Sequence, residues 1–132
     1  MKTVYELFIP GVPKAQPRPR MTKTGHVYTP DSAKAWKEAI MAECMARCKN
    51  VITQPVKLTV RFFFPVPKNK KKECNIPHAK KPDVDNLLKA VMDAMTAAKV
   101  WKDDALVYSS SADKWYGTAT GAVKIIVEVM EG

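Results

Sequence analysis

No apolar run in this chain approaches the roughly 20 residues that a bilayer-spanning helix needs, so no membrane partner or span is expected. Cysteine is scarce and odd in number, three in 132 residues. Cys44, Cys48 and Cys74 therefore fit free thiols better than a disulfide framework. The first residues, Met1 to Glu6, lack the apolar stretch of a signal peptide, and a reducing cytoplasmic setting is the expectation. There is no internal repeat and no linker between separable domains. Acidic side chains are the minority, 13 Asp and Glu against 22 Lys and Arg, for a formal charge of +9. Such a balance favours phosphate-rich partners, meaning nucleic acid or an anionic surface.

What remains is one domain, residues 1–132, with 46% hydrophobic residues, enough for a modest core. Val4 to Ile9 reads as a first strand. Pro10, Pro13, Pro17 and Pro19 then forbid regular structure. A short extended piece follows at Gly25 to Thr29. Thr29-Pro30-Asp31-Ser32 is a helix start signal. Trp36, Ile40, Cys44 and Cys48 make one apolar stripe on a helix from Ala33 to about Lys49. Val56, Leu58, Val60, Phe62 and Phe64 alternate as a half-buried strand. Residues 68–82 form a lysine-rich loop without hydrophobic periodicity. A helix from about Val84 to Lys99 carries a broad apolar face of Leu87, Leu88, Val91, Met92, Met95 and Ala98. Ala105 to Tyr116 and Ala122 to Met130 are two more strands, joined by a turn at Gly117 to Gly121. The predicted class is α/β in the α+β mixed sense. Its order is β-α-β-α-β-β, one mixed sheet with helices packed on it.

The densest chemistry lies between Lys81 and Met95. Asp83 and Asp85 stand at the start of a helix, at the positive end of its dipole. Asp83 alone could be an ordinary N-cap. Lys89 lies four residues beyond Asp85, and Asp93 four beyond Lys89, all on one stripe. That row is either a solvated salt-bridge ladder or an active-site row in which a lysine works beside metal-bound carboxylates. A second pair, Asp103-Asp104, follows the helix; its plain reading is a turn. Carboxylates gathered in a cationic chain suggest a hard divalent metal and a polyanionic substrate.

The run Lys81-Pro82-Asp83-x-Asp85-Asn86-Leu87-x-Lys89-x-x-x-Asp93, followed by Val100-Trp101-Lys102-Asp103-Asp104, resembles the signature of RusA-type Holliday junction resolvases. The likeness is dense from Lys81 to Val107. It extends more loosely to Pro13-Lys14-x-x-Pro17-Arg18-Pro19-Arg20 and to Gly25-His26-x-Tyr28-Thr29-Pro30, as in phage-type members. The resemblance implies a small endodeoxyribonuclease of bacteria and prophages, dependent on Mg²⁺ with Mn²⁺ as a substitute. It implies symmetric paired nicks in four-way junctions during recombination and repair, leaving 5′-phosphate and 3′-hydroxyl ends. It further implies a homodimer; the helix from Ala33 and the helix after Asp83 are our candidate surfaces for it. Carried over residue by residue, Asp83, Asp85 and Asp104 are the metal-holding carboxylates and Lys89 the essential lysine. Asn86, Asp93 and Asp103 are supporting positions. Some relatives have arginine immediately before the first aspartate; here that position is Pro82, with Lys80 and Lys81 beside it.

Lys14, Arg18, Arg20, Lys71, Lys72, Lys80 and Lys81 are the candidate DNA contacts. Lysine runs are commonly solvated loops, but this one adjoins the acidic cluster. Arginine suits bidentate phosphate contact, and such backbone contacts favour DNA shape over sequence. Three other readings stay open. Cys44, Cys48, Cys74 and His78 have spacings compatible with zinc in a nucleic-acid-binding module. A basic DNA-binding protein without catalysis would explain the charge, though not the carboxylates. A metal-dependent nuclease of broader branched-DNA specificity would explain both.

Overall fold

Alternation and helical periodicity each find their partner across a single core. The computed structural model describes residues 1–15, 20–28, 33–67 and 75–130. Strand β4 (Val56–Pro65) buries Val56, Leu58, Val60, Phe62 and Phe64 on one face, the period-2 pattern of its sequence. Strand β7 (Ala122–Val129) does the same with Val123, Ile125, Val127 and Val129. These inward faces meet helix α2 (Val84–Ala97), whose Leu87, Ala90, Val91, Ala94 and Met95 recur at the 3–4 residue spacing of one helical face. Helix α1 (Lys34–Arg47) adds the narrower stripe Trp36, Ile40 and Cys44.

The sheet has five strands in the order β1-β7-β4-β6-β5. Strand β1 is Lys2–Pro10 and pairs antiparallel with β7, which pairs antiparallel with β4. Strand β6 (Val107–Thr118) runs parallel to β4. That parallel pair requires a crossover, and the crossover is the segment that contains α2. The expected class, one mixed sheet with helices packed on it, is what the chain adopts. Three two-residue strands are additions to the expected order. Arg20–Met21 (β2) and Val27–Tyr28 (β3) pair with each other, and Ile76–Pro77 (β5) pairs antiparallel with Trp115 and Tyr116 on β6. No helix among the described residues is long and apolar enough to cross a membrane.

Several boundaries shift by a residue or two from the sequence reading, and two of the shifts bear on the site. The last long strand but one starts at Val107 rather than Ala105, because Asp104–Leu106 forms a single turn of 3-10 helix. Asp103 causes it: its Oδ1 accepts the Ala105 N–H at 2.8 Å, a side-chain turn that competes with strand pairing. Helix α2 ends two residues early, at Ala97. The Val100 N–H bonds Met95 O at 3.1 Å and the Lys99 N–H bonds Thr96 O at 3.1 Å, with Lys99 at φ 62. This is a Schellman stop. It turns the chain toward Trp101 and the second acidic pair. The helix start signal at Thr29-Pro30-Asp31-Ser32 lies outside the described residues.

Candidate active site

Asp83 is the N-cap of α2, with the extended backbone expected there (φ -68, ψ 142), yet its side chain makes no capping hydrogen bond. The cap is made by backbone alone, through Leu87 N–H to Asp83 O at 3.2 Å. Asp85, in the first turn, accepts its neighbour's amide, Asn86 N–H at 3.0 Å, and among the described residues no other side-chain bond. Both carboxylates are exposed and sit where the helix dipole is positive. The geometry thus answers the plain reading of Asp83: it occupies the capping position without using its carboxylate for the purpose.

Lys89 is exposed on the next turn and Asp93 is half-buried one turn further. Among the described residues the ion pairs are Arg47 with Glu43, Arg61 with Asp113, and Lys124 with Glu6. None involves Lys89, so the ladder Asp85–Lys89–Asp93 is not formed.

The second acidic pair is brought back toward α2. The 3-10 turn packs against that helix, and Ile52 fastens the approach. Ile52 N–H bonds Val100 O at 2.9 Å and Lys102 N–H bonds Ile52 O at 3.0 Å. The carboxyl of Asp104 is pushed above its usual range, first by its hydrogen bond with Asp103, then by loss of hydration and the charges of Asp103 and Asp93. Asp103 is pushed below its own range, first by the Ala105 amide and then by Asp104. Asp93 is therefore the α2 carboxylate whose field reaches the second pair. Among the described residues, no three His, Cys, Asp or Glu side chains are gathered as a group that could hold a metal ion. The donor chemistry at the head of α2 nonetheless suits a hard cation. Its ligands would be oxygens that, among the described residues, join no ion pair, and Mg²⁺ keeps several waters of its own.

A cleft of about 510 Å³ opens at the amino end of α2, lined by Ala15, Lys81, Pro82, Asp83 and Asn86. Ala15 belongs to the proline-rich loop that follows β1. That loop and the first metal-site candidate share one cavity despite nearly 70 residues of intervening chain. Lys14, Lys80 and Lys81 are exposed around it. Arg18, Lys71 and Lys72 lie outside the described residues, as does the side chain of Arg20.

One residue of this region carried no motif. Lys114, on β6, donates from Nζ to Lys80 O at 2.5 Å and to Pro82 O at 2.8 Å. Its register partner is the buried Phe62 on the parallel β4, so it stands on the helix side of the sheet. A lysine in the inward phase of a strand was the available signal. Among the described residues the other candidate ligands do not assemble. Cys44 is fully buried in the core cluster, and its thiol is pushed far up by the neighbouring Cys48 thiol and by burial. His78 stacks on Phe64 with ring centroids 4.0 Å apart and leans on Tyr116 at 4.8 Å. Cys74 lies outside the described residues.

The family model of Endodeoxyribonuclease RusA matches residues 10–129. The chain belongs to the RusA endodeoxyribonuclease family. It is 34% identical over 140 residues to the uncharacterized protein YqaN of Bacillus subtilis, covering 96% of this chain and 94% of that one. It is 28% identical over 113 residues to the crossover junction endodeoxyribonuclease RusA of Escherichia coli K12, covering 86% of this chain and 78% of the relative. A shorter match, 38% over 58 residues, joins it to the enzyme of the same name from Enterobacteria phage 82. The RusA family match spans the proline-rich loop and the head of α2, which line the cleft, and also the 3-10 turn.

Proposed function

We propose that this protein is a Mg²⁺-dependent, structure-specific endodeoxyribonuclease that resolves four-way DNA junctions by paired symmetric nicks. It acts as a homodimer, in the cytoplasm of a bacterial cell or a phage-infected host. The observation that carries the reading is the unused pair of carboxylates at the head of α2. Asp83 makes no side-chain capping bond, and among the described residues Asp85 meets only one adjacent amide. In a chain of net charge +9, exposed acids beside a DNA-binding surface would repel the phosphates unless a cation intervenes. The RusA family match over residues 10–129 supports the same assignment.

Asp83 and Asp85 would be the first ligands of the ion, with Asp104 supplying a third. A bound Mg²⁺, or Mn²⁺ in its place, would lower the pKa of a water and neutralise charge on the phosphoryl oxygens. Lys89, unpaired with either carboxylate of its stripe, supplies positive charge for the extra negative charge of the pentacoordinate transition state. Asn86, in the cleft wall, offers amide hydrogen bonds to the strand. Asp93 and Asp103 tune the carboxyl of Asp104. Lys14, Lys80 and Lys81 steer the DNA backbone toward the cleft, together with Arg18 and Arg20 of the proline-rich loop and Lys71 and Lys72. A two-fold dimer would present two such sites to two related strands of a junction.

A cleavage assay decides the matter. Four-way junction, fork, linear duplex and single strand are each incubated with Mg²⁺ and with EDTA. Paired nicks in the junction alone, abolished by EDTA, are expected. Equal cutting of fork and junction would assign the broader branched-DNA specificity instead. No cutting with either Mg²⁺ or Mn²⁺ would sink the nuclease reading.

A further inference from the structure

The turn that delivers Asp83 is built largely from strand β6, and Lys114 makes the most of it. Backbone contacts come first: Asn75 N–H bonds Tyr116 O at 2.6 Å and His78 N–H bonds Lys114 O at 3.0 Å. The His78 ring then anchors the turn between Phe64 and Tyr116. Beyond His78 the pairing with β6 ends, and among the described residues the last ones before the helix are held by the Lys114 ammonium. Its two acceptors, Lys80 O and Pro82 O, lie on either side of Lys81. One side chain therefore fixes the backbone on both sides of Lys81, and one of its two acceptors is the carbonyl of Pro82, the residue just before the N-cap Asp83. These are charge-assisted bonds to carbonyls, about twice as strong as neutral ones. Among the described residues Lys114 makes no ion pair, so its fixed charge is spent on backbone rather than on a carboxylate.

We propose that Lys114 is a positioning residue of the nuclease site: its ammonium sets the backbone from which Asp83 and Asp85 present their carboxylates to the metal. This rests on the reading of those aspartates as metal ligands. Lys114 itself touches neither carboxylate. It acts through the Lys80 and Pro82 carbonyls, as supporting groups around metal ligands generally do, where their loss costs about 10- to 100-fold in metal affinity.

The test compares Lys114→Met, which keeps length and loses all donors, with Lys114→Arg, which keeps the charge and the donors. Mn²⁺ binding to the full-length protein without DNA is followed by electron paramagnetic resonance, and backbone amide exchange by mass spectrometry. In Lys114→Met, Mn²⁺ affinity is expected to fall about tenfold or more. Exchange should quicken in residues 78–87 while β7 keeps its protection. Lys114→Arg should recover most of the affinity. A general loss of stability would instead loosen β7 as well and leave the local pattern unchanged. Mn²⁺ affinity within twofold of wild type in a folded Lys114→Met protein overturns the proposal, whether or not the turn loosens. Should Lys114→Met not fold, Lys114→Gln, which retains one donor arm, carries the same comparison. Because neither readout uses cleavage, a wild-type protein that binds Mn²⁺ and cuts no DNA would sink the nuclease reading while leaving Lys114 to be judged on its own.

Discussion

The indole N–H of Trp101 is donated to Thr96 Oγ1 at 2.8 Å, tying the chain just before the second acidic pair to the last turn of the helix that begins with the first. Trp101 is fully buried, so its N–H has no water to fall back on. Thr96→Val keeps the shape and removes the acceptor. An unsatisfied buried donor costs about 1–3 kcal/mol, and the denaturation midpoint should fall accordingly. A loss smaller than a few tenths would mean that this bond does not fix the approach to Asp103 and Asp104.

Much of this arrangement was legible in the sequence, and the reasons are local. The alternation through Val56 to Phe64 and the apolar face from Leu87 to Met95 are periodic signals whose burial follows from geometry alone. Asp83, Asp85 and Lys89 were legible because their spacing is set within one helix. Tertiary facts were not. Nothing in the order of residues says that Ala15 and Asp83 share a cleft, or that Lys114 reaches the carbonyls of Lys80 and Pro82. A turn at Asp103-Asp104 was legible as the plain reading of two adjacent aspartates, but its extension to Leu106 was not, because Ala105 onward reads as strand and the Asp103 side chain delays it.

Asp83→Asn and Asp85→Asn should each abolish cutting while leaving junction binding intact. Asn is as good an N-cap as Asp, and Asp83 makes no side-chain cap in any case, so the fold should persist. Each change would remove one negative charge from the proposed metal ligands, a contribution of several kcal/mol to the transition state, hence more than about a hundredfold in rate. Cleavage of a labelled junction and gel binding in EDTA are measured side by side. Retained turnover by either variant would remove it from the catalytic set.

Lys89→Ala should lose cleavage by about 10²- to 10³-fold, the usual cost of removing one group that stabilises transition-state charge. Stability should stay within about 0.5 kcal/mol, as for an exposed surface change, because Lys89 is exposed and joins none of the ion pairs. Single-turnover cleavage and denaturant titration measure the two quantities. If stability drops and the cleavage rate does not, Lys89 is a structural residue.

Arg18→Ala combined with Arg20→Ala should weaken junction binding and flatten its dependence on salt. Ala15, three residues before Arg18, already lines the cleft at Asp83, so the loop departs from the site's edge. Each lost phosphate contact lowers the slope of log affinity against log salt by about 0.9. Two lost contacts should therefore lower it by roughly 1.8. Fluorescence anisotropy across a salt series gives the slope. An unchanged slope would take the loop out of the DNA contacts.

Acid should weaken the fold through His78. The side chain is 8% exposed and its Nδ1 is buried without a partner. Burial first, then the positive charge of Lys114, push its pKa below the ordinary value; a backbone hydrogen bond opposes them and the charge of Lys80 adds least. The native state thus refuses a proton that the unfolded chain accepts at about pH 6.5. Stability from this residue is complete above that pH and declines as pH falls toward the lower native value. His78→Phe keeps a ring against Phe64 and cannot titrate. Between about pH 8 and pH 5.5, spanning the ordinary histidine value, the wild type should lose more of its denaturation midpoint than the variant. Equal losses in the two proteins would show that His78 takes up its proton without disturbing the packing of the turn before Asp83.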